Sequence, residues 1–215
     1  MQSRPIKIYR LINFSLAGCY FGYLFLITDY TAIGWQFRYL TIWALTANFF
    51  VSALMLNALP RAVSEAADQI VTTAVILNAV VVFLYWKLHF IDPKLINGEN
   101  PRVWYLDYYL HLFGPLMQWL DAIFIYGAFR RQRQTLQYIL ILFFSYTLWI
   151  ELIVQPYNSL PQGTVTSGLP YPFLNDLNFI DRLKFYSSNM LIIVACFFIG
   201  VGARYLKRKI IHNKK

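Results

Sequence analysis

The 215-residue chain is 58% hydrophobic and 19% aromatic but only 13% charged, with a mean hydropathy of +0.46, which sets it apart from ordinary soluble domains. Its apolar runs are long, not the short alternating strands of a membrane barrel, so the composition specifies an integral membrane protein made of helices. The formal net charge of +9 follows membrane topology and does not point to nucleic acid, because the basic residues cluster at the ends of the apolar runs.

One crossing of a hydrocarbon core of about 30 Å takes roughly 20 mostly apolar helical residues. Six runs approach that length, at about 11–27, 39–59, 70–89, 109–129, 135–154 and 185–205. Together they fill most of the chain and leave no room for a separate soluble domain. The expected fold is therefore all-α, a single polytopic domain over 1–215 built as a bundle of six transmembrane helices, with no internal repeat.

The first run carries LAGC at Leu16–Cys19, which looks like a lipoprotein cleavage box. Its apolar stretch continues to Ile27 beyond any cut, which favours an uncleaved first helix. Cys19 in this run and Cys196 in the sixth are both expected inside helices, so they suggest neither a disulfide framework nor a metal pair. The second run places Thr41, Asn48 and Ser52 at spacings of seven and four, one stripe of a helix that should face the bundle interior. Interhelical hydrogen bonding alone would account for such a stripe.

The third run ends at His89 beside Lys87, where an interfacial residue is expected. In the fourth, DYYLHLFGPLMQWLDAIF spans Asp107 to Phe124; His111 and Gln118 share a face, and Asp107 lies one turn before the histidine. Pro115 has no N–H, so the His111 carbonyl loses its helical partner and the turn can kink. Inside a bilayer that carbonyl needs a neighbouring donor or a cavity water. Glu151 closes the fifth run. The connection QPYNSLPQGTVTSGLPYPFL then reads either as a lid over the outer face or as a solvated connector.

With six crossings, thirteen of the nineteen Lys and Arg residues fall on the side of the two termini: Arg4, Lys7, Arg10, Arg61, Arg130, Arg131, Arg133 and the tail cluster from Arg204 to Lys215. The positive-inside rule then places both termini in the cytoplasm. Depth follows from the same topology. Thr41 and His111 each lie about two residues inside the outer boundary, roughly 3 Å deep at the helical rise, so the two can meet. Glu151 sits near the same level. Asp121, ten residues past His111, lies about 15 Å deeper and is expected as a neutral or paired carboxyl. Intramembrane polar residues are functional-site candidates by default.

Five short strings, FRYLT at 37–41, DPKLI at 92–96, the Leu-His and Pro of 110–115, YTLW at 146–149 and YPFL at 171–174, resemble in order and spacing the androgen-induced family of multi-span membrane threonine hydrolases, which cleave fatty acid esters of hydroxy fatty acids. The resemblance implies that Thr41 is the nucleophile and His111 its base. Asp107 and Glu151 are alternative orienting acids, with Asn48 and Asp121 in supporting places. A hydroxyl needs such a base because it is a weak nucleophile at its free pKa.

No cofactor, metal or nucleotide motif accompanies the pair, so the expected partners are membrane lipids and an acyl ester. The competing reading is a non-catalytic lipid-binding or transport protein whose polar residues, among them Gln118, Asn78 and Asp121, line a passage.

Overall fold

The computed structural model describes residues 2–56, 64–97, 103–158 and 168–212. Arg61, Arg102, Lys214, Lys215 and the 159–167 part of the candidate lid lie outside the described residues. Within them every regular element is helical. Six long segments follow the six apolar runs: α1 (Arg4–Ile27), α2 (Leu40–Leu56), α3 (Glu65–Ile91), α4 (104–126), α5 (Gln132–Tyr157) and α6 (Phe179–His212). Four of them, α1, α3, α5 and most of α6, are long and apolar enough to cross a membrane. The described part of α2 has 17 residues, and α4 alternates between α and π geometry. The chain is thus an all-α integral membrane protein with four candidate spans.

Most of the helices outrun the apolar stretches that announce them. α1 starts at Arg4 because Pro5 in its first turn presets the helical φ and lacks only an N–H that would be unsatisfied anyway. Arg4, Lys7 and Arg10, expected in a connection, are therefore helical, and LAGC lies in mid-helix. Arg10 is buried at 1% exposure. Its Nε and Nη2 donate to the two carboxylate oxygens of Asp121 in α4, both at 2.8 Å, and its Nη1 donates to the Met55 carbonyl of α2 at 2.7 Å. Tyr9 adds a 2.6 Å bond to the Met117 carbonyl. The expected paired state of Asp121 is what the structure contains, with the partner supplied by the first helix.

At the opposite end of α4, Gly127 takes a left-handed conformation (φ 77°) and lets the chain turn away. The turn is pinned to the first turns of α3. Thr72 Oγ1 accepts the Phe129 N–H at 3.0 Å, and Asp68 Oδ2 accepts the Arg130 and Arg131 N–H groups at 2.8 and 3.0 Å. The Phe129 ring rests on Gly200 of α6, where a Cβ would collide with it. Around it Val51, Val71, Val75, Ala122 and Phe197 form the main apolar core.

Three stretches have wide π turns: Tyr109–Phe113, Leu120–Tyr126 and Trp149–Val154. Each contains one of the acids or bases singled out by the sequence, namely His111, Asp121 and Glu151. π turns concentrate at functional sites because they redirect a side chain without ending the helix.

Candidate active site

Thr41 owes its position to the backbone just before it. Gly34, with φ 86°, starts a 3-10 turn at Trp35–Arg38 that leads into α2. Aromatic side chains from elsewhere then hold the exposed backbone groups of this entry. The indole N–H groups of Trp43 and Trp149 both donate to the Phe37 carbonyl, at 2.7 and 3.1 Å. The Tyr146 hydroxyl donates to the Arg38 carbonyl at 2.9 Å, and the Leu40 N–H donates to the Tyr171 hydroxyl at 3.0 Å. The start of a helix leaves its first N–H groups unsatisfied, and here the Leu40 N–H, with the Phe37 and Arg38 carbonyls of the preceding turn, becomes a handle that fixes the threonine.

His111 is fixed as firmly. Its ring lies flat on Tyr85 of α3, with centroids 3.6 Å apart and planes 8° from parallel. Its carbonyl, freed by Pro115, accepts the Trp86 indole N–H at 2.9 Å. That bond meets the requirement that the proline created. The ring Nδ1 sits 3.0 Å from the Asp107 backbone carbonyl. A carbonyl can only accept, so this contact calls for a proton on Nδ1, and in the neutral ring Nε2 then carries the lone pair. Nε2 lies 3.3 Å from Thr41 Oγ1, the tautomer and approach a general base requires.

The pair opens on a cavity between α2, α3, α5, α6 and the 171–174 segment. Its walls are mostly aliphatic and aromatic. The lining runs from Tyr85, level with His111, to Thr73, a distance of twelve residues along α3, or about 18 Å. Tyr171 lines the same cavity near Thr41. Burial pushes its hydroxyl up to about 12, moderated by the Leu40 N–H and the Tyr146 and Thr41 hydroxyls around it. It therefore remains a protonated donor at neutral pH.

The other residues marked by the sequence have varied surroundings. Asp107 meets His111 through its backbone carbonyl. Glu151 is clasped by Arg182, with Nε 2.9 Å from Oε1 and Nη2 3.3 Å from Oε2, and by the Tyr186 hydroxyl at 2.6 Å. Asn48 and Ser52 are buried outside the cavity lining. Asp121 belongs to the Arg10 clasp, and Asn78 donates to Gln118 at 2.7 Å. His89 lies nearly parallel to the same Tyr85 ring at 5.9 Å. Among the described residues no three of His, Cys, Asp and Glu gather as a metal ion would need.

Residues 7–203 match the model of the FAR-17a/AIG1-like protein family. The chain belongs to that family. This is the androgen-induced family whose short strings the sequence resembles, and in this member those strings converge. FRYLT supplies Thr41, the Leu-His pair supplies His111, YTLW supplies the clamps Tyr146 and Trp149, and YPFL supplies Tyr171. Ile96 of DPKLI lines the same cavity. No curated protein and no solved structure matches the chain.

Sequence reasoning missed Tyr171, Tyr146 and Trp86 as working parts. Their signal was present in the strings and in the orphaned carbonyl. Their partners lie 25 to 131 residues away, which no local pattern discloses.

Proposed function

We propose that this family member is a membrane-embedded carboxylic ester hydrolase acting on long-chain lipid esters, with fatty acid esters of hydroxy fatty acids as the substrate class. The observation that carries the reading is the Thr41 hydroxyl 3.3 Å from Nε2 of His111 at one end of an apolar cavity. The acyl chain lies along the aliphatic walls, where each buried methylene contributes about 0.8 kcal/mol. Its ester carbonyl sits against Thr41.

Thr41 Oγ1 attacks the carbonyl carbon as His111 Nε2 takes its proton. The Tyr171 O–H donates to the carbonyl oxygen as negative charge develops there. The proton on Nε2 passes to the leaving alkoxide, and water then cleaves the acyl-threonine with the same base. The Asp107 carbonyl keeps Nδ1 protonated throughout, the service that the third member of a triad performs.

The same reading has six crossings and cytoplasmic termini, with the site near the outer face. Tags at both ends that are protease-sensitive only from the cytoplasmic side of sealed vesicles would uphold this topology. The decisive experiment for the activity is hydrolysis of a branched fatty acid ester by detergent-purified protein, compared with Thr41→Ala and His111→Ala at matched folding. Loss in both variants upholds the pair. Activity retained in either removes that residue from its role, and an inactive wild type across several acyl esters favours the lipid-binding or transport reading.

A further inference from the structure

The walls of the apolar cavity carry two polar atoms without partners. Thr73 Oγ1 and Asn189 Oδ1 are both buried and make no hydrogen bond among the described residues, and both residues line the cavity. Neither is used by the proposed chemistry. Four other helical or helix-ending threonines, Thr28, Thr46, Thr135 and Thr147, return their hydroxyls to the carbonyl four residues earlier, at 2.5 to 3.0 Å. Thr73 does not close that local bond. Asn189 is only 5% exposed and lies one turn beyond Tyr186 on α6, in a wall otherwise dominated by hydrocarbon.

An unsatisfied buried polar atom costs about 1–3 kcal/mol, and packing both residues as apolar groups would avoid that cost. Their chemistry states what would satisfy them. An amide oxygen only accepts, so the ligand must bring a donor. A threonine hydroxyl both donates and accepts. A hydroxyl answers both, whereas a keto, ether or ester oxygen offers Asn189 Oδ1 no donor.

We propose that the cavity selects acyl chains bearing a free hydroxyl, read by Asn189 and Thr73. This hydroxyl lies on the chain inside the cavity and is distinct from the alcohol released when the ester is cleaved. The inference deepens the hydrolase reading and rests on it for the chain's orientation, with the ester at Thr41 and the chain running toward Thr73.

The test compares 4-nitrophenyl esters of octadecanoate with a positional series of hydroxyoctadecanoates, using full-length protein in detergent. In parallel, thermal stabilisation of Thr41→Ala by the corresponding free acids is measured. A hydroxylated chain is expected to gain about tenfold in kcat/KM over the plain chain, the value of roughly one good hydrogen bond, with a matching larger stabilisation by its free acid. That preference should collapse toward one in Asn189→Leu and Thr73→Val. Both variants replace an unsatisfied polar atom with hydrocarbon and should melt no lower than wild type, so loss of preference cannot be ascribed to unfolding.

Equal rates and equal stabilisation across the whole series would overturn the proposal, leaving the two polar atoms to water. So would a preference that survives both substitutions. If the protein hydrolyses nothing yet is stabilised selectively by a hydroxylated acid, the hydrolase reading fails while the selectivity stands.

Discussion

Two pairs of polar residues meet inside this bundle, and they are built in opposite ways. Arg10 and Asp121 are closed on each other: both are almost wholly buried, the guanidinium forks onto both carboxylate oxygens, and the remaining nitrogen binds a carbonyl. Thr41 and His111 share one longer contact of 3.3 Å and face a cavity. The Asp107 carbonyl and the Trp86 indole aim the histidine, and Tyr146, Trp43 and Trp149 hold the backbone that leads to the threonine. A charged pair satisfied on all sides joins helices, here α1 to α2 and α4. A pair with one unfilled side is available for a third molecule.

The comparison breaks most sharply at the open pair. Thr41→Ala or His111→Ala should lower ester hydrolysis by about a thousandfold or more, as loss of a nucleophile or its base does elsewhere, while the melting temperature in detergent moves little. The closed pair should do the reverse. Asp121→Asn leaves Arg10 buried against a neutral amide and should destabilise the fold by about 3–5 kcal/mol, read as reduced yield and an earlier melt. The double change Arg10→Met with Asp121→Leu should recover most of that loss, because two apolar side chains leave no charge stranded. Recovery of neither stability nor yield would show that the clasp does more than join helices.

A smaller effect sharpens the open side. Tyr171→Phe removes the proposed donor to the oxyanion and should reduce kcat by about a hundredfold, with KM far less affected. An equal fall in kcat and rise in KM would reassign Tyr171 to holding Leu40 in place.

Much of this was legible in one dimension. Counting residues inward from a common boundary paired Thr41 with His111, since helical rise converts sequence into depth. Pro115 announced an unsatisfied carbonyl, and Trp86 answers it. Depth is blind to azimuth, however, so it could not say that Glu151 turns toward Arg182 and Tyr186, or that Asn48 lies outside the cavity. Arg10 was hidden for another reason. It precedes the apolar run and reads as a topology charge, yet Pro5 starts the helix early enough to carry it into the bundle. Thr73 and Asn189 were invisible because an isolated polar residue in a transmembrane run is ordinary; only the lack of a partner separates them from their neighbours.

The packing of Phe129 against Gly200 has a kinetic consequence. With Val71, Ala122 and Phe197 beside it, that ring belongs to the same packed cluster as the cavity-lining Ile76, Val80, Ile139 and Ile193, so among the described residues the deep end is backed by dense packing. Under the hydrolase reading, that packing favours departure of the fatty acid by the route along which its ester arrived. Product and substrate then compete for one passage, and turnover slows as free acid accumulates in the surrounding bilayer.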